Sequence, residues 1–112
     1  MPLVRRPPTD HSMHDWIELT SDVLSTDAAV AWATTPSSGA VVSFLGVVRD
    51  HAEGRAGVTA MTYEAYEEPA VRAMGEIAAE ARRRWPDLGR VALLHRVGEL
   101  ELSEASVQVV VS

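Results

Sequence analysis

Hydrophobic positions recur along this chain at two spacings, and the change from one to the other marks out the elements. Trp16-Ile17-Glu18-Leu19-Thr20 reads as a short strand. Ser25-Thr26-Asp27 ahead of Ala28-Ala29-Val30-Ala31-Trp32 reads as an N-capped helix that stops before Pro36, because a side-chain oxygen at the start satisfies amides that have no partner inside the helix. Pro36-Ser37-Ser38-Gly39 has the composition of a loop. Ala40 to Val48 is almost continuously apolar, which predicts a buried central strand, with a bulge or close backbone approach at Gly46. Arg49 to Gly57 is polar and carries two glycines, the pattern of an exposed, mobile loop. Val58 to Tyr66 alternates as a strand does.

Pro69 suits the first turn of a second helix, and Val71, Met74, Ile77, Ala78, Ala81 and Trp85 recur at the three-and-four spacing of one helical face. Pro86-Asp87-Leu88-Gly89 ends it. Arg90 to Val97 and Ala105 to Val111 read as strands, with Gly98 to Glu104 as the connection between them. Two of the strand-to-strand steps are too short for parallel crossovers. The expected fold is therefore α+β, a mostly antiparallel sheet with two helices. Residues 1–13, with three prolines among charges and no periodicity, read as a mobile leader, and 14–112 as a single domain. The last apolar strand stops at Ser112 with nothing to close the sheet, so further residues are expected after it. Its exposed edge also argues for a homodimer.

Composition narrows the chemistry. The 112 residues carry a formal charge of −6, against the cationic face that phosphate backbones require, so nucleic acid is not an expected partner. No cysteine is present, which excludes a disulfide framework, a thiol nucleophile and a thiolate metal site in this sequence. All 10 basic residues are arginine, so no lysine here can form a Schiff base or act as an ammonium acid. No apolar run approaches the roughly 20 residues of a membrane span, and the amino terminus lacks the apolar core of a signal peptide. A cytoplasmic location is expected.

Several groups are candidates for chemistry. Asp10-His11-Ser12-Met13-His14-Asp15 places two imidazoles among carboxylates, readable as a weak metal site or a solvated leader; the second reading is the simpler, and no metal is expected. Asp50-His51 offers acid/base chemistry near neutrality. His95, on a strand among Leu93, Leu94 and Val97, reads as a hydrogen-bonded structural histidine. Arg82-Arg83-Arg84 suits the negative end of the long helix, and Glu64, Glu67 and Glu68 a solvated edge. Arg49 stands where an apolar strand runs into a polar loop, a place from which a guanidinium meets an anionic ligand or forms a surface ion pair.

Three blocks, Gly39 to Arg49, Met61-Thr62-Tyr63-Glu64-Ala65-Tyr66 and His95-Arg96-Val97-Gly98-Glu99-Leu100, occur in an order and spacing that resemble the large, catalytic subunit of molybdopterin synthase, the MoaE family. The resemblance implies a hammerhead-like α+β fold and a homodimer within a heterotetramer. It also implies a small ubiquitin-like partner, whose C-terminal thiocarboxylate passes sulfur to cyclic pyranopterin monophosphate to form the molybdopterin dithiolene. No cofactor is implied. Val47, Val48 and Arg49 match the family's substrate-contacting segment, with His51 a further candidate. The family's His-Arg pair, further helix and lysines would follow Ser112, so these 112 residues are expected to be inactive alone. Ser103 stands where the family usually has glycine. The alternative is a non-catalytic binding or scaffold relative that keeps the fold without the lysine segment.

Overall fold

The computed structural model describes residues 3–50, the backbone of residues 60–63, and residues 67–112. Their order is β1 (Asp15–Thr20), α1 (Thr26–Ala33), β2 (Val42–Val47), β3 (Ala60–Tyr63), α2 (Glu67–Arg84), β4 (Val91–Arg96), β5 (Gly98–Glu101) and β6 (Ala105–Val111). A four-stranded sheet runs β1-β4-β6-β2, and β3 pairs with β5 in a separate ladder. Among the described strands only β1 and β4 pair in parallel; β4–β6, β6–β2 and the separate β3–β5 are antiparallel, so the main sheet is mixed and mostly antiparallel.

The two helices close the two faces of the sheet. Ser25 caps α1 as expected, its Oγ accepting from the Ala28 amide at 3.2 Å. Ala29, Trp32 and Ala33 of that helix pack with Trp16, Ala92, Leu94 and Val110. Trp16 and Trp32 meet edge to face, 5.6 Å between centroids. On the opposite face Ala78 packs with Val91 and Leu93, and Met74, Ile17 and Val109 border them. The second helix lies over β1 and β4, which leaves Ile77 of its expected apolar face 61% exposed. Trp85 is exposed as well, because it follows the last helical residue and no longer keeps the helical period.

Three expectations are corrected. The Ala40–Val48 run forms an edge strand: among the described residues β2 has only β6 beside it, and Val42, Phe44, Leu45 and Val47 are exposed. An apolar run specifies extended backbone, but not how many neighbours that backbone will have. The pairing is irregular at the expected place, for the register shifts between Gly46, opposite Val107, and Val47, opposite Ala105, but the extra residue, Ser106, lies on β6. Second, Gly98–Glu101 is a strand. Gly98 turns the chain at φ +97°, a conformation that favours glycine, and only Leu100 of this strand is buried, too short an apolar signal for periodicity to register. Third, β6 is interior, with β4 and β2 on either side, so the bare edge belongs to β2. The strand expected over 58–66 is observed as Ala60–Tyr63, and the rest of that span lies outside the described residues.

The segment expected as a leader carries contacts of its own. Val4 pairs with Val23 in an isolated parallel bridge, through an Arg5 amide to Val23 oxygen bond of 2.8 Å and a Val23 amide to Leu3 oxygen bond of 2.7 Å. The Arg5 guanidinium reaches Glu18 and, at 3.6 Å, Asp22. At the other border of β1, Arg82 donates to Asp15 Oδ1 at 2.5 and 3.1 Å and to the carbonyls of His14 and Leu88. Arg83 and Arg84 both pair with Glu80. Among the described residues no helix is long and apolar enough to cross a membrane.

Candidate functional site

The segment Val47-Val48-Arg49 leaves the sheet just past the bulge and alternates in burial. Val47 is half exposed, Val48 is 2% exposed and Arg49 is exposed. Its backbone is fastened to the turn between β5 and β6. The Val48 amide donates to the Glu104 oxygen at 3.0 Å, and the Ser103 amide donates to the Val48 oxygen at 2.8 Å. Both polar groups of a buried residue are thereby satisfied. Arg49 follows directly, its side chain free of hydrogen bonds and ion pairs among the described residues.

The turn that holds Val48 is itself held. The Glu104 carboxylate accepts from the Glu101 amide at 2.8 Å through Oε1 and from Arg96 Nη1 at 2.7 Å through Oε2. Arg96 is 6% exposed, and its Nε also donates to the Ser21 oxygen at 3.4 Å. The Glu101 amide, then the Arg96 guanidinium, hold the Glu104 carboxyl below its usual range, so it is ionised at neutral pH. Ser103 sits at φ 67°, in the left-handed region where a side chain is strained. A glycine at this position, which the resemblance leads one to expect, would carry no such strain.

The remaining candidates are dispersed. His51 lies outside the described residues, and Asp50 beside it is exposed. His95 Nδ1 lies 2.8 Å from the Ser106 oxygen on the neighbouring strand, a structural bond as expected. Asp10 turns onto Ser12, accepting from its amide and hydroxyl at 2.9 and 2.7 Å. His11 and His14 contribute carbonyl oxygens to Arg90 and Arg82. Among the described residues no group of three or more His, Cys, Asp or Glu side chains could hold a metal ion. Glu67 and Glu68 form the exposed first turn of α2, and Glu64 lies outside the described residues. Arg90 is engaged with the Trp32 carbonyl at 2.6 Å and stacks 5.1 Å over the Trp32 ring.

Two of the clefts among the described residues contrast in their lining, and both lie away from Arg49. One of about 640 Å³ opens at the other end of β2, among hydroxyls of Thr35, Ser38 and Ser112 and beside Arg90. The other, about 320 Å³ and almost wholly apolar, lies between α2 and the sheet, lined by Met74, Ile77, Leu93 and Val109. Sequence reasoning passed over Arg96 and Glu104, although a signal existed. Arg96 stands inside an apolar strand, where a charge survives only with a partner, and Glu101 and Glu104 flank the turn that could supply one.

Comparison with known proteins gives a consistent result. The sequence profile described as "MoaE protein" matches residues 19–112. A molybdopterin synthase catalytic subunit from Drosophila mojavensis is 46% identical over 76 residues, which make up 68% of this chain and 20% of that protein. Molybdopterin synthase catalytic subunit 1 of Aedes aegypti is 37% identical over 98 residues, covering 88% of this chain and 63% of its own length. The chain thus spans less than two thirds of these relatives. The crystal structure of molybdopterin synthase from Staphylococcus aureus superposes with a TM-score of 0.76 at 30% identity, over 86% of this chain and 69% of that one.

Proposed function

The chain belongs to the MoaE protein family, and from that premise we propose that it acts as the catalytic subunit of a molybdopterin synthase, transferring sulfur from the thiocarboxylated tail of a small ubiquitin-like subunit to cyclic pyranopterin monophosphate. The observation that carries the reading is Arg49, an exposed guanidinium directly after a backbone pinned at Val48. A planar, permanently charged fork at a fixed point suits a phosphate. In this reading Arg49 holds the substrate's phosphate, Val47 offers an apolar wall beside it, and His51 borders the same segment. None of the 112 residues is lysine or cysteine, so activation of the acyl or pterin group falls to groups outside this sequence. The working enzyme is a cytoplasmic heterotetramer built on a homodimer of this chain, with the hammerhead-like outline of its family. The non-catalytic alternative has no observation in its favour, since the relatives matched are catalytic subunits.

Calorimetry with cyclic pyranopterin monophosphate and the full-length protein tests the reading. Loss of a charge-assisted bond in Arg49→Ala should weaken binding by about 10- to 150-fold, the equivalent of about 1.5 to 3 kcal/mol. Arg49→Lys should recover part of it, because the ammonium keeps the charge and loses the fork. Unchanged affinity in an Arg49→Ala variant with a native circular dichroism spectrum removes Arg49 from the site.

A further inference from the structure

We propose that Arg96 and Glu104 are positioning residues that hold Arg49 in place for its anionic ligand, acting through Val48. The inference rests on the reading of Arg49 as the group that holds the substrate's phosphate. The chain of contacts is continuous. Arg96, buried on β4, bonds the Glu104 carboxylate at 2.7 Å. That carboxylate also accepts from the Glu101 amide, and the Glu104 amide donates back to the Glu101 oxygen at 3.2 Å, which closes the turn into one rigid unit. The turn then grips Val48 at both backbone groups, through the Glu104 oxygen and the Ser103 amide.

A strand end beside a polar loop frays readily, since its outer hydrogen bonds face water and few apolar contacts support them. Here the residue before Arg49 is instead clamped by a turn, and the turn is anchored to an interior strand by a charge that has little water around it. Arg96 is an unusual residue to bury, because it can be held there only while its partner stays ionised and in place. Both strained and buried features of this region, the left-handed Ser103 and the interior guanidinium, converge on the two hydrogen bonds of Val48. A guanidinium whose backbone wanders by an ångström loses the alignment a bidentate bond needs.

The experiment is a double-mutant cycle read by calorimetry with cyclic pyranopterin monophosphate on the full-length protein, using Glu104→Gln, Arg49→Ala and the combination. Glu104→Gln keeps the shape and the acceptor for the Glu101 amide while removing the charge that Arg96 needs. It should weaken binding about tenfold, and amide hydrogen exchange at Val48 and Ser103 should quicken. In the Arg49→Ala background the same change should cost nothing further, and Arg96→Lys should weaken binding less than Glu104→Gln. If Arg49→Ala weakens binding and a folded Glu104→Gln leaves it unchanged, the positioning role is overturned while the phosphate site stands. If Glu104→Gln weakens binding equally with and without Arg49, Glu104 acts by another route and the inference is again overturned. If a folded Arg49→Ala binds normally, the phosphate site itself falls and this inference with it.

Discussion

The two edges of the main sheet differ in how they are finished. At β1 the Trp16 side chain is 3% exposed, Arg82 fastens Asp15 from the helix side, and Arg5 lies against Glu18 and Asp22. At β2 the side chains are the more apolar, yet Val42 and Phe44 are 68% and 60% exposed. Just past its end, Val48 is held by the Glu104 turn. Beyond the ladder that each has with its neighbour, one edge is secured by side chains packed over it, the other by two backbone bonds at Val48. Hydrophobic content therefore does not report the degree of burial within a sheet; position in the strand order and placement of the helices decide it.

The contrast can be broken first at Trp16. Trp16→Ala removes a core indole and its edge-to-face contact with Trp32, and should cost about 3 to 5 kcal/mol in urea unfolding. Phe44→Ala, a large residue on the other edge, should cost less than about 1 kcal/mol. Equal losses at the two positions would show that β2 is packed after all. Arg82→Ala should come next, at about 1 to 2 kcal/mol, because a two-point bond to a partly exposed carboxylate and two carbonyl contacts are lost together. Its loss should show as faster amide exchange along β1 and not along β2.

At the other edge, Ser103→Gly should stabilise the protein by about 0.5 to 1 kcal/mol, since relief of left-handed strain exceeds the added chain entropy of glycine. A lower urea midpoint would contradict it. The smallest effect concerns acid. The Glu104 carboxyl sits below its ordinary value of 4.5 in the folded chain, so its contribution is complete above that value and is lost as pH falls through the depressed one. Asp10, held down by Ser12, and Glu80, held down by Arg83 and Arg84, are likewise lowered. The difference between wild type and Glu104→Gln isolates the turn, and should be constant from neutrality to about pH 5 and shrink below it.

Much of this was legible in the sequence where one residue carries one physical demand. Ser25 marks its helix start, Gly46 the place of irregular pairing, and His95 its cross-strand bond, because capping, a glycine within a strand and a lone imidazole in an apolar strand each leave a local trace. The edge position of β2 was not legible, since neighbours are chosen by the whole topology. The short β5 escaped because its register depends on β3 and its burial on Leu100 alone. The candidate site was half legible: Arg49 stands out at the border of an apolar run, whereas the Arg96–Glu104 pair joins residues whose meeting depends on how β4, β5 and β6 fold back on one another.

The short run from Gly46 to Arg49 is a matter of counting. A strand presents its residues by turns to one side and the other, so orientation is set by whether a step is odd or even. The extra residue at the irregularity, Ser106, lies on β6, so the alternation of β2's own chain carries on unbroken past Gly46, exposed, buried and exposed at Val47, Val48 and Arg49. Deleting one residue between Gly46 and Arg49 would exchange the places of valine and arginine, setting a guanidinium under the turn and an aliphatic chain in water. Substitutions there are gradual in effect, but changes of length act as a frameshift does in a message, and the spacing is the part of this segment least free to vary.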